Sequence, residues 1–168
     1  MIIKILEAIN RHIEKIETVV LIIILSVMVI LAFLQVVLRN LLDQGILWAD
    51  ILLRNLVLWV GFIGASLATR EGKHINIDLL TRFLPGKWKV FSRIITNMFT
   101  ALICVLLAEA GWTFVMDEKL YSTKIFADVP AWYFQIIIPI GFLIMAFRFV
   151  IISLQHITNL VTQKRVET

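Results

Sequence analysis

The run from Val19 to Leu38 holds 20 residues without a charge. At about 1.5 Å per helical residue it crosses a hydrocarbon core of ~30 Å. Lipid offers no partner for a peptide N–H or C=O, so such a segment must satisfy its own backbone as a helix. Ser26 and Gln35 are its markedly polar residues. Three more apolar runs follow, at roughly Ile51 to Thr69, Ile94 to Met116 and Trp132 to Leu154. The expectation is an all-α membrane protein with four transmembrane helices in a single membrane domain, residues 1–168. Composition agrees: 60% of residues are hydrophobic and 17% charged, against about 45–50% and about 25% in soluble domains. A secretory signal does not fit. The first apolar run is too long and ends in Leu38-Arg39-Asn40, with no small-residue cleavage site.

The segments flanking the spans are patterned as well. Ile2, Ile5, Leu6, Ile9, Ile13 and Ile16 recur at intervals of three and four, with Lys4, Glu7, Arg11, Glu14 and Lys15 between them. This spacing predicts an amphipathic interfacial helix over about 2–17. In the connector between spans two and three, Ile75, Leu79, Leu80 and Phe83 share a helical spacing, and Asp78 and Arg82 lie four apart. A second interfacial helix is expected over about 74–84, ended by Pro85-Gly86. Pro139 should kink span four. Asp128 and Pro130 read as start signals for that span, and the tail from Gln155 reads as polar and partly disordered.

Lys and Arg set the orientation. Eleven lie in the N-terminal tail, the connector between spans two and three and the C-terminal tail. Four (Arg39, Arg54, Lys119, Lys124) lie on the other side. Both termini are therefore expected in the cytoplasm. Trp48, Trp88, Trp112 and Trp132 fall near span ends, as an aromatic belt requires.

Few residues could carry chemistry. Glu109 lies about 10 Å inside span three, where an ionised carboxylate needs a partner or a function. Arg54 enters span two from the same side, about 5 Å deep. Three readings stay open: an Arg54–Glu109 pair, a contact to another subunit, and a proton or ion relay. Gly61, Gly64, Ala65 and Ala68 give span two a small face suited to close helix packing. Arg148, near the cytoplasmic end of span four, reads as a side chain snorkelling to the interface. Arg70, His74, Asp78 and Arg82 are assigned to the same cytoplasmic interface. Trp48 and Asp50 could cap the second span or form an outward docking surface. Lys119, Lys124 and Asp128 are candidates for that surface too. His12, His74 and His156 all lie in cytoplasmic-side segments, which argues against a haem held between two histidines. The one cysteine, Cys104, reads as a small buried hydrophobe. No nucleotide loop, HExxH pair or GxSxG elbow is present. No catalytic residue, metal ligand or cofactor is assigned, and an enzyme is not expected.

From Trp48 to Leu80 the residues run Trp48-Ala49-Asp50, Arg54, Trp59, Gly64-Ala65, Arg70-Glu71-Gly72-Lys73-His74-Ile75 and Asp78-Leu79-Leu80. Later come Pro130-Ala131-Trp132, Ile138-Pro139-Ile140-Gly141 and Arg148. In this order, with four spans, they resemble the small (DctQ-like) membrane subunit of tripartite ATP-independent periplasmic (TRAP) transporters. In that family the first acidic residue is often followed by a second; Ile51 stands in that place here.

The resemblance implies a non-catalytic small subunit and two partners. A large multi-span membrane subunit would carry the substrate, coupled to sodium. A periplasmic substrate-binding protein would capture an organic acid of the sialic acid or C4-dicarboxylate type, and the small subunit would help dock it. Two rivals remain. An autonomous dimeric proton-coupled transporter would depend on Glu109. A membrane anchor of a redox enzyme would show a haem absorption band.

Overall fold

The computed structural model describes residues 2–42, 45–70, 86–122, 124–126 and 128–166. The expected interfacial helix at 74–84, with His74, Asp78 and Arg82, lies outside them, as does the side chain of Arg70. The elements in order are α1 (Ile2–Leu42), α2 (Leu47–Arg70), α3 (Gly86–Tyr121), β1 (Lys124–Phe126), β2 (Val129–Pro130), α4 (Trp132–Gln135) and α5 (Ile137–Val166). Among the described residues, four helices are long and apolar enough to cross a membrane, as the apolar runs require.

α1 is one continuous helix of 41 residues, about 60 Å long. The segment expected as a separate interfacial helix at 2–17 is its first four or so turns. The chain has no glycine or proline before Gly45, so nothing interrupts the backbone where the arm meets the span. The arm does not bury one apolar face: Leu6 and Ile13 are half-buried, and Arg11, His12 and Lys15 are exposed. Ile5, Ile9 and Ile16 are exposed, whereas Glu17 is buried and Asn10 half-buried.

α5 is the hub. Half of its spanning window is buried, against 6% for that of α1. It packs most extensively on α3, then on α2, and least on α1; α1 packs mainly on α2. α2 and α3 flank α5 and share no substantial interface. The α3 seam is Asn97, Ala101, Cys104, Ala108, Gly111 and Val115, buried at alternating steps of four and three. That repeat keeps one face on a partner helix, and its small side chains let the backbones approach. Ala101 and Cys104 meet Met145, Ala146 and Phe149 of α5, with Phe62 and Phe142 packed edge-to-face beside them at 5.2 Å between ring centroids. Cys104 is buried there, as expected.

The close approaches fall at glycines other than those expected. A Cβ on Gly141 would sit 2.7 Å from Cδ1 of Phe62, and one on Gly111 would sit 3.0 Å from Cγ2 of Ile138. A Cβ on Gly61 or Gly64 would meet nothing within 4 Å. The small face of α2 is therefore not a packing face within this chain; Gly61, Ala65 and Ala68 are exposed and Gly64 half-buried.

Span four is interrupted at the single residue Ile136, which itself keeps right-handed helical dihedrals (φ −59°, ψ −21°). α4 ends at Gln135 and α5 begins at Ile137. Pro139 has no N–H to give the Gln135 carbonyl, and its ring crowds that carbonyl. The Phe134 N–H reaches the Ala131 carbonyl by a three-residue step (3.0 Å), while the Gln135 and Ile136 N–H groups keep the helical four-residue step to the Ala131 and Trp132 carbonyls (3.3 and 3.1 Å), and the Ile140 N–H keeps it to the Ile136 carbonyl (3.4 Å). The tail expected to be partly disordered is helical through Val166. Between α3 and α4 the chain makes a small antiparallel hairpin, β1 with β2. Asp128 turns it with φ of 62°, a left-handed conformation that Asp tolerates. Asp128 and Pro130 thus belong to the hairpin, just ahead of the helix start.

Candidate functional site

The most buried charges lie at the end of the bundle where both termini meet. Arg148 of α5 is 1% exposed and Glu17 of α1 is 7% exposed. The Arg148 Nη2 donates to Glu17 Oε2 as a buried salt bridge. Nη1 donates to the Ser66 carbonyl and to Ser66 Oγ, the latter at 3.0 Å. Nε donates to Asn10 Oδ1 at 3.0 Å. Ser66 Oγ in turn donates to Glu17 Oε1 at 2.7 Å. One turn or so further out, Gln155 Nε2 donates to Glu7 Oε1 at 2.8 Å.

Each part follows from local sequence. Glu17 sits two residues before the uncharged run, so it enters the apolar layer only at its edge. Ser66 is on the buried side of α2 with Ile63 and Thr69. Arginine suits the position because its planar fork can serve a carboxylate, a carbonyl and an amide at once. An isolated ion there would be expensive; pairing, with every carboxylate oxygen occupied, offsets much of that cost. The cluster ties α1, α2 and α5 together at one depth. Arg148 is therefore not a snorkelling side chain: α1 and α2 close over it before it reaches the interface. Glu17, Ser66 and Asn10 escaped the sequence reading. The available signal was a lone acid and a lone base at matching depths on two spans.

At the hairpin end the contacts are lighter. Gln35 of α1, 9% exposed, donates to the Ile46 carbonyl (3.2 Å) and to Asp50 Oδ1 (3.1 Å), and accepts from the Ile46 N–H (3.3 Å). Asp50 thus pins the α1–α2 turn, although the residue itself is exposed. Trp59 Nε1 donates to the Phe134 carbonyl at 2.9 Å, joining α2 to α4. Lys119 lies 5.4 Å from the centroid of Trp132. Lys124 and Asp128 form an exposed ion pair at 2.6 Å across the hairpin. Trp48 is 44% exposed. β1 lies against α2, so the hairpin shares this end of the bundle with the start of α2.

The expected Arg54–Glu109 pair is not formed. No ion pair joins them among the described residues, and both are exposed. The reason is topological: Arg54 is on α2 and Glu109 on α3, with α5 between those helices. On α2, Arg54, Val57, Gly61, Ala65 and Ala68 form one exposed stripe at helical spacing. Among the described residues no group of three or more His, Cys, Asp or Glu could hold a metal ion.

Comparison with known proteins assigns this architecture. Residues 28–159 match the family model described as "Tripartite ATP-independent periplasmic transporters, DctQ component". The chain is 34% identical over 107 residues to a provisionally named TRAP transporter small permease protein of Haemophilus influenzae, covering 64% of this chain and 66% of that one. It is 23% identical over 174 residues to the C4-dicarboxylate TRAP transporter small permease protein DctQ of Vibrio cholerae, covering 90% and 75%. It is also 25% identical over 116 residues to the sialic acid TRAP transporter permease protein SiaT of Haemophilus influenzae, covering 69% of this chain but 19% of that longer protein. The match thus spans just under two thirds of the first of these relatives and about a fifth of SiaT. The chain, a multi-pass membrane protein, belongs to the DctQ component family of the tripartite ATP-independent periplasmic transporters.

Proposed function

We propose that this chain is the non-catalytic small subunit of a sodium-coupled importer of an organic acid, of the sialic acid or C4-dicarboxylate type. It packs against a large multi-span transport subunit and helps a periplasmic substrate-binding protein to dock. It sits in a bacterial inner membrane with both termini in the cytoplasm, in keeping with the distribution of Lys and Arg.

The observation that carries this reading is the lateral exposure of Glu109 within the membrane-spanning part of α3. An ionised side chain at that depth does not face lipid without a compensating partner, and this chain supplies none among its described residues. The open stripe through Arg54, Gly61, Ala65 and Ala68 has the same implication for α2. Small residues at a lipid-facing position gain nothing, whereas against another helix they permit close packing. The similarity to a fifth of SiaT supports a large permease as the partner. Trp48, Asp50, Lys119, Lys124 and Asp128 share the hairpin end and form the docking candidate; Arg70, His74, Asp78 and Arg82 are assigned to the cytoplasmic interface.

Uptake in proteoliposomes tests the proposal. The chain together with its large partner, the binding protein and a sodium gradient should accumulate substrate, and the chain alone should not. Uptake by the chain alone, abolished by Glu109→Gln, would favour an autonomous proton-coupled transporter instead.

A further inference from the structure

Two clefts lie on either side of the Arg148–Glu17–Ser66 cluster, the outer between α1 and α5 and the inner between α1 and α5 with α2 as its floor. The outer one, nearer the termini, has a volume of about 230 Å³ and is lined by Glu7, Asn10, Arg11, Arg148 and Gln155 with Ile151 and Ile152. The inner one, about 140 Å³, is apolar; Val20, Trp59, Phe62, Ile137 and Ile144 are among its walls. The order along α1 is polar cleft, ion pair, apolar cleft. The same order runs along α5 in reverse. From Asn10 to Val20 the helix rises about 15 Å, comparable to the reach of much of a fatty acyl chain.

We propose that the two clefts together are a specific binding site for one phospholipid with a zwitterionic amino headgroup, of the phosphatidylethanolamine type. The phosphate sits against Arg11, the ammonium faces Glu7, and one acyl chain follows α1 past Glu17 into the apolar cleft. The volume of the outer cleft equals roughly seven or eight water molecules' share of liquid, enough for a phosphoethanolamine group. Charge selects the headgroup. Arg148 is neutralised by Glu17, which leaves Arg11 and Glu7, one charge of each sign, facing the cleft. An anionic headgroup would match Arg11 but not Glu7; a zwitterion matches both. Arg148, 1% exposed and lining the cleft, supplies a built wall rather than a mobile surface contact.

The test is native mass spectrometry of the full chain, purified in mild detergent with whatever subunit accompanies it. After delipidation it is offered dioleoylphosphatidylethanolamine or dioleoylphosphatidylglycerol at equal concentration. The expected result is one bound phosphatidylethanolamine per chain, at several-fold higher occupancy than phosphatidylglycerol. Arg11→Gln, which removes the phosphate contact, and Val20→Trp, which fills the acyl cleft, should each lower occupancy about fivefold. These two changes act on opposite ends of the lipid, so a folding defect in one leaves the other informative. Absence of a bound lipid, equal binding of the two lipids, or occupancy unchanged in both variants would overturn the proposal. So would displacement of the lipid by soluble glycerophosphoethanolamine at a similar concentration, which would mark a site for a soluble phosphodiester rather than for a lipid.

Discussion

Replacing Glu17 by alanine should damage this protein more than any other single change to its charged residues. The substitution leaves the Arg148 guanidinium buried, with Ser66 and Asn10 as its remaining neighbours and no anion. Removing one partner of a buried ion pair costs about 3–5 kcal/mol. For a chain of this length each kcal/mol moves the midpoint by about 2–4 °C, which gives a loss of about 6–20 °C. The assay is thermal unfolding of purified protein in a fixed detergent, followed by tryptophan fluorescence. Lys15→Ala, at an exposed position on the same helix, serves as the control and should shift the midpoint little. The double variant Glu17→Leu with Arg148→Met removes both charges and fills similar volume, so it should recover most of the loss. Ser66 can then return its hydroxyl to its own helix. A Glu17→Ala loss no larger than that of Lys15→Ala would refute the reasoning. So would a double variant as unstable as the sum of its singles, since contacting residues should couple by about 0.5–3 kcal/mol.

Other changes separate what the fold needs from what a partner needs. Gly141→Ala places a methyl 2.7 Å from Phe62 and should cost about 1–3 kcal/mol, read as a lower thermal midpoint of the isolated chain. Gly61→Leu meets nothing within 4 Å, so the isolated chain should keep its midpoint while recovery of the large subunit in pull-downs falls. Gln35→Leu removes the bonds to Ile46 and Asp50; at about 0.5–1.5 kcal/mol per bond it should loosen the α1–α2 turn, seen as faster amide exchange there. Alanine at Trp48, Asp50, Lys119, Lys124 and Asp128 together should weaken capture of the periplasmic binding protein. Unaltered uptake in that variant would rule out docking at the hairpin end.

The spans were readable because lipid writes a simple rule into sequence: long uncharged runs, whose backbones must close on themselves. Pro139 announced the disturbance in span four, which falls one turn earlier, at Ile136. Side-chain pairing was harder to see. Arg54 and Glu109 looked like neighbours because consecutive spans usually are; the order in which helices pack is not encoded in hydropathy, and α5 separates them. Arg148 was read alone, and its environment depends on α1 and α2 reaching it from more than 80 residues away. The glycines taught the same lesson. The GxxG-like cluster at Gly61 and Gly64 drew attention, whereas the contacts that need a missing Cβ are at Gly111 and Gly141. Absence of a neighbour at Gly61 and Gly64 became informative only once the chain's own packing was known.

The central claim is that this chain works as one part of a larger transporter. Tagging it, expressing it from its native gene neighbourhood and extracting it in mild detergent tests that directly. The account predicts a large multi-span membrane protein recovered in about equal amount. Recovery of this chain alone, as a well-behaved monomer or homodimer active in transport, would contradict it.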